Sequence, residues 1–178
     1  RNHGKEEDFR YQRWRNQWSQ KGTVYFLVRS YFQIFLLQGL MMYLIALPLT
    51  FASAFDAPHG FCVVSFVGIL VWAVGFFFEA VGDWQLSRFL KQQENRGKIM
   101  KYGLWKYTRH PNYFGEVVQW WGVFVIAAPI MFPWSLILLV SPITITVLIL
   151  FVSGIPLLEK KWEGNEKYEQ YKKETSPF

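Results

Sequence analysis

The sequence has a single cysteine, Cys62, and three scattered histidines, His3, His59 and His110. An internal disulfide is excluded, and neither a multi-thiolate nor a clustered-histidine metal site has a ligand set in this chain. No G-x-G-x-x-G, P-loop, H-E-x-x-H or G-x-S-x-G occurs. The usual signatures of a Rossmann dinucleotide site, an NTPase, a zinc peptidase and a serine hydrolase are therefore missing. There is no low-complexity segment, no repeat of useful length, and no apolar core in the first 20 residues that would mark a signal peptide. Basic residues are absent from two short stretches, 52–60 and 129–133.

What is present is apolar. Of 178 residues 52% are hydrophobic and only 18% are charged, so the +6 net charge does not describe a soluble nucleic-acid-binding domain. An anionic lipid surface or an anionic cofactor suits that charge better. Four stretches, about 24–51, 61–82, 111–128 and 134–156, approach the ~20 residues that a helix needs to cross ~30 Å of hydrocarbon. Arg1, Lys5, Arg10, Arg13, Arg15 and Lys21 precede the first stretch. Arg88, Lys91, Arg96, Lys98, Lys101, Lys106 and Arg109 lie between the second and third, and Lys160, Lys161, Lys167, Lys172 and Lys173 follow the fourth. Only Arg29 falls elsewhere, close enough to the start of the first stretch to snorkel to the same side. The positive-inside rule then places every basic segment in the cytosol and both short loops outside, in a bacterial plasma membrane or the endoplasmic reticulum.

The expected fold is all-α: a polytopic transmembrane helical bundle of about four spanning helices, with cytosolic interfacial and C-terminal helices. Residues 1–22 read as a basic, aromatic interfacial segment, 23–158 as the transmembrane domain and 159–178 as a cytosolic helix. The chain begins at Arg1, without Met and inside a polar stretch, and reads as a piece of a longer protein. It carries no signal for oligomeric state.

Charged groups at membrane depth need a partner or a purpose. Glu79 and Asp83 stand one turn apart in the second stretch, and Gly68, Gly75 and Gly82 recur every seven residues on nearly the same face. Small residues admit a neighbouring helix closely, so this face is expected to look into the bundle. The third stretch opens on the run Gly103 to Glu116, with Pro111 marking the first helical position. Arg109 and His110 just precede it, beside free N–H groups and the positive end of the helix dipole, which is an anion-binding arrangement. Asn112, Glu116 and Gln119 then carry one polar stripe into the membrane, more than headgroup anchoring requires. In the tail, Glu163/Lys167 and Glu169/Lys173 are helix-supporting pairs, and Tyr168 and Tyr171 share a face that either covers a planar ligand or docks on the bundle.

These residues resemble the DUF1295 membrane family. The likeness rests on Phe76-Phe77-Phe78-Glu79-Ala80-Val81-Gly82-Asp83-Trp84-Gln85-Leu86, on Asn95-Arg96-Gly97-Lys98, and on Gly103 to Glu116 with its R-H-P-N-Y-F-G-E run. Gly154-Ile155-Pro156-Leu157-Leu158-Glu159, followed by Tyr168 and Tyr171, completes it. The family is similar to the carboxy-terminal domain of steroid 5-alpha-reductases and to the sterol C14 and delta-7 reductases. The resemblance implies a membrane-embedded NADPH-dependent reductase that transfers hydride to a carbon–carbon double bond of a lipid or steroid-like enone. It implies cofactor-lining roles for Asp83, Arg88, Asn95, Arg109, His110, Asn112, Tyr113, Glu116 and Tyr168, and no metal. Leu90 stands where relatives usually carry Lys, with Lys91 next to it. The Glu–Tyr pair by which 5-alpha-reductases polarise the substrate ketone lies on upstream helices and has no counterpart here, so no general acid is assigned. Isoprenylcysteine and phospholipid methyltransferases share the R-H-P-x-Y-x-G run and bind S-adenosylmethionine nearby. Asn112, Glu116 and Asp83-Trp84-Gln85 favour the reductase over that alternative. A truncated lipid-binding or anchoring module is the non-enzymatic reading.

Overall fold

The computed structural model describes residues 9–54, 62–130 and 132–178. His3, His59 and most of the 52–60 loop lie outside the described residues. Every regular element among them is helical, as expected of a chain whose backbone must satisfy itself in lipid. The chain divides into two compact units, with the boundary between Tyr43 and Leu44.

In the first unit, α1 (Phe9–Ser19) is followed by α2 (Thr23–Ser30), a π-helical segment (Tyr31–Leu36) and the start of α3 (Leu37–Ala54). The chain reverses between α1 and α2 at Gly22, whose φ of 98° no side-chain-bearing residue adopts easily. Tyr11 on α1 accepts a hydrogen bond from Gln38 Nε2 at 3.4 Å.

The second unit is built on α4 (Val63–Lys91) and α5 (Pro111–Ala127), which pack backbone to backbone. Gly82 faces Pro111 and Asn112, Gly75 faces Gly115 and Gln119, and Gly68 faces Gly122 and Ile126. The seven-residue glycine spacing on α4 thus brings α5 alongside it, and Gly115 and Gly122 answer from the other helix. Beyond α5 come a 3₁₀ turn (Trp134–Leu139), α6 (Val140–Val147) and a second π segment (Leu148–Val152). Val117, Ile145, Ile149 and Ile155 form a core between these elements, with Tyr113, Trp120 and Phe178 against it. Phe66, Leu70, Phe76 and Phe77 remain exposed on α4, as suits a surface solvated by lipid.

Three helical stretches are long and apolar enough to cross a bilayer, Thr23–Ala54, Val63–Lys91 and Ser135–Trp162. The remaining stretch of the about four expected to span, α5, has 17 residues, about 25 Å at 1.5 Å per residue, the lower end of spanning length. It ends at Ala127 before the proline-flanked 129–133 stretch. The tail departs from the expected single helix. The Ser153 and Gly154 N–H groups both donate to Leu148 O, at 2.8 and 3.2 Å, and there the rod breaks. α7 (Ile155–Glu159) and a 3₁₀ turn (Lys160–Trp162) follow, and α8 (Glu166–Glu174) starts afresh with Asn165 accepting from Tyr168 N at 3.1 Å as its cap.

Candidate functional site

The segment before α5 has little regular structure and is fixed from two sides. From α4, Gln85 Oε1 accepts the Leu104 N–H at 3.0 Å and Gly82 O accepts the Trp105 indole N–H at 3.1 Å. From the tail, Ser176 O accepts the Arg109 N–H at 2.9 Å and Pro177 O accepts the Thr108 hydroxyl at 2.8 Å. The Tyr171 hydroxyl donates to Trp105 O, and the Lys101 ammonium sits 5.0 Å from the Tyr171 ring centre. Residues 103–110 and the tail therefore form one hydrogen-bonded body at the mouth of α5.

At its centre is Glu159, delivered by the break before α7. Its Oε1 accepts from Arg109 Nε at 2.9 Å and from His110 Nε2 at 3.0 Å. The Arg109 Nη1 group donates to Lys172 O at 3.2 Å and to Thr175 O. Arg109 and His110 are both buried. The His110 N–H donates to Thr108 Oγ1 at 3.2 Å, while the His110 side chain makes no cap hydrogen bond to the first turn of α5. Burial holds the His110 imidazole below its ordinary 6.5, and Arg109 adds to this, although the Glu159 carboxylate pulls the other way. The ring is then neutral, with its Nε2–H donated to the carboxylate.

This sets a pH dependence. In the unfolded chain His110 takes up a proton near its ordinary value; in the folded protein it resists. Stability is full above pH 6.5 and is lost as the pH falls from there toward the lower folded value. The slope contributed is at most about 1.4 kcal/mol per pH unit. Unfolding temperatures between pH 7.5 and 5 (a range of about 2.5 units) are expected to fall, and to fall less in His110→Gln. Equal slopes in the two proteins would remove His110 as the cause.

A polar track runs along the α4–α5 contact. Asn112 Nδ2 donates to Asp83 Oδ1 at 2.9 Å, Gln119 Nε2 donates to Glu79 Oε2, and Glu116 lies within electrostatic reach of Glu79 and Asp83. The stripe on α5 thus meets the acidic pair on α4. Asn112 Oδ1, in contrast, is shielded from solvent and has no hydrogen-bond partner.

Beside the track opens a cavity of about 290 Å³. Arg109, His110, Asn112 and Tyr168 line it, four of the nine residues expected to do so. Leu86, Phe89, Met100 and Leu158 make its apolar wall, Trp105, Trp162 and Tyr171 its further aromatic wall, and Lys98 and Lys161 contribute cations. Tyr168 is buried and stacked on Trp162, with ring centres 5.4 Å apart. Burial pushes the Tyr171 phenol up to about 12, and burial and the neighbouring Glu159 push Tyr168 up too, so both are neutral donors at any working pH. The other expected residues lie elsewhere. Asp83 reaches the cavity through Asn112, Tyr113 stacks behind His110 with ring centres 5.8 Å apart, and Glu116 continues the track. Arg88 lies over the Trp84 ring at 5.6 Å, beside a separate shallow depression. Asn95 turns inward to the end of α4, its Nδ2 donating to Phe89 O at 3.0 Å and Gln92 Oε1 at 2.7 Å. Glu159, Lys98, Trp105, Lys161 and Trp162 were not singled out as site residues in the sequence; the Gly154–Glu159 run pointed toward the first of them.

A family described as "Protein of unknown function (DUF1295)" matches residues 1–175. The chain belongs to the DUF1295 family. Its segments are also similar to those of characterised enzymes. A protein named steroid 5-alpha-reductase DET2 from Gossypium hirsutum is 36% identical over 55 residues, 31% of this chain and 21% of the relative. A 3-oxo-5-alpha-steroid 4-dehydrogenase 1 from Mus musculus is 38% identical over 69 residues, 39% of this chain and 25% of the relative. The Rattus norvegicus protein of the same name gives 38% over 69 residues, 24% of its length. The match thus spans about a fifth to a quarter of these curated relatives. No solved structure matches.

Proposed function

We propose that this chain carries the cofactor-binding part of a membrane-embedded NADPH-dependent reductase acting on a carbon–carbon double bond of a lipid or steroid-like enone. The observation that carries the reading is Asn112: a solvent-shielded carbonyl oxygen without a donor, in the wall of a cavity, held in place by a bond from its own amide to Asp83. A buried acceptor left unmade in the free protein is an invitation to a ligand N–H or O–H. The names of the similar enzymes, a steroid 5-alpha-reductase and 3-oxo-5-alpha-steroid 4-dehydrogenases, supply the reaction class.

The residues fit part of a dinucleotide. About 290 Å³ is at the small end of ligand pockets, roughly 300–1,000 Å³, and suits one nucleoside half. The aromatic wall accepts a planar ring, Asn112 and the neutral Tyr168 offer bonds to amide or ribose groups, and Lys98 and Lys161 bring positive charge for phosphate. Arg109 acts chiefly as the peg on which the cavity's tail wall hangs. When bound, NADPH would supply the hydride; the chain's own residues orient it and exclude water, and the proton donor is left unassigned.

Titrating the purified protein in detergent with NADPH should quench tryptophan fluorescence saturably, since Trp105 and Trp162 line the cavity. S-adenosylmethionine should not. Asn112→Leu removes the acceptor and spares the exposed Asp83 any burial penalty, so NADPH affinity should drop about tenfold, or ~1.4 kcal/mol. Quenching by the methyl donor alone would turn the assignment to a methyltransferase.

A further inference from the structure

We propose, independently of the reductase reading, that the shallow depression beside Arg88 is a binding site for the headgroup of an anionic phospholipid. It has a volume of about 270 Å³ and is divided from the larger cavity by Phe89 and Met100, which line both. Its level in the bilayer follows from α4. The helix has 29 residues, about 43 Å at 1.5 Å per residue and so about 13 Å more than the ~30 Å core. The apolar part of α4 comes first and its charges follow, so the excess lies at the end that carries Arg88 and Lys91. A core of ~30 Å uses about 20 residues and ends near Gly82, which puts Trp84 in the headgroup layer and Arg88 at its water edge. Arg88 folds back over the Trp84 ring, 5.6 Å from its centre, and this brings the guanidinium down toward the phosphates.

The lining offers donors and no carboxylate. Gln85 Oε1 accepts from the Leu104 N–H at 3.0 Å and Gln92 Oε1 from Asn95 Nδ2 at 2.7 Å, so each amide has its oxygen engaged and its N–H groups to offer. Among the described residues no carboxylate is ion-paired with Arg88. The acids nearest in sequence are placed elsewhere: Asp83 holds the Asn112 amide at 2.9 Å, Glu94 sits in the turn after α4, and neither lines the depression. Trp84 and Tyr102, 58% and 70% exposed, flank it, and amphipathic rings of this kind belong at the water–lipid boundary. Phe77, two turns before Trp84 on the same face, is exposed as well. Phe77, Trp84 and Arg88 thus make one stripe that runs from acyl chains to phosphates. A free anion would use only its upper end, whereas a phospholipid uses all of it. With no acceptor in the lining, and the Trp84 ring face taken by Arg88, a choline or ethanolamine ammonium finds no partner there, and an anionic headgroup is preferred.

Detergent-solubilised full chain should be titrated with short-chain phosphatidylglycerol, with phosphatidylcholine of equal chain length, and with inorganic phosphate, reading thermal unfolding. Phosphatidylglycerol alone should raise the unfolding temperature, and saturably. Arg88→Gln should need about fivefold more of it for the same shift. Arg96→Gln makes the same charge change at an exposed site outside the depression, and should respond like the unaltered chain. Saturating NADPH should leave the phosphatidylglycerol titration where it was. Equal stabilisation by phosphatidylcholine or by phosphate, an equal response of the two variants, or competition between phosphatidylglycerol and NADPH would each overturn the proposal; the last would give the depression to the cofactor.

Discussion

Replacing Gly115 with alanine is expected to destabilise the protein by about 1–3 kcal/mol or more, although the change adds one methyl group. That methyl would lie 2.5 Å from Gly75 O and 2.9 Å from Glu79 Cα, both main-chain atoms of α4 that cannot rotate aside. The helices would have to part, and the bonds that cross beside this point, Gln119 to Glu79 and Asn112 to Asp83, would part with them. Gly39 supplies the control, because a methyl group there meets nothing within 4 Å. Gly39→Ala should stabilise slightly, by roughly 0.5–1 kcal/mol, since alanine is the better helix former. Thermal unfolding of both variants in the same detergent decides the matter. If the two shift together, α4 and α5 do not touch at their backbones.

The α4 half of this contact was legible in the sequence. Gly68, Gly75 and Gly82 repeat at an interval that keeps them on one face, and a local pattern is enough to infer a close neighbour. Pro111 likewise announced the start of α5, because proline is tolerated there and hardly elsewhere in a helix. The stripe of Asn112, Glu116 and Gln119 was legible for the same reason, although its pairing with Asp83 and Glu79 was not. Periodicity reveals which residues share a face and leaves open what faces them.

The environment of Arg109 was out of reach for that reason. Local reading put its guanidinium at a helix start, ready for an anion. Its partners Glu159, Lys172 and Thr175 come from 50 or more residues away, through the rod broken at Gly154, and no pattern near Arg109 encodes their return. Asn95 teaches the same lesson at short range. The family resemblance implies a cofactor-lining role for it, and local pattern gave no sign that its side chain bonds the end of α4. The extent of α5 was legible too, since the stretch expected over about 111–128 is the helix Pro111–Ala127.

Arg109 and Glu159 are expected to be strongly coupled in stability. Their side chains are only 8% and 13% exposed, and the 2.9 Å ion pair is supplemented by His110 and by two tail carbonyls. Arg109→Ala strands two carbonyl oxygens in a sheltered place and leaves the carboxylate only His110 and the Lys172 ammonium at 3.9 Å; it should cost up to about 3–5 kcal/mol, the range for breaking one side of a buried pair. Glu159→Leu should cost a similar amount, now leaving the guanidinium unpaired. The double variant Arg109→Met, Glu159→Leu should recover much of either loss, because an apolar pair of like volume avoids the desolvation of both charges. Recovery should be incomplete, since Lys172 O and Thr175 O still lack the donor they have in the native chain. Denaturant or thermal unfolding of the four proteins closes the cycle. Strictly additive losses would show that the two groups do not sense one another, and that the tail is fastened to the mouth of α5 by something other than this pair.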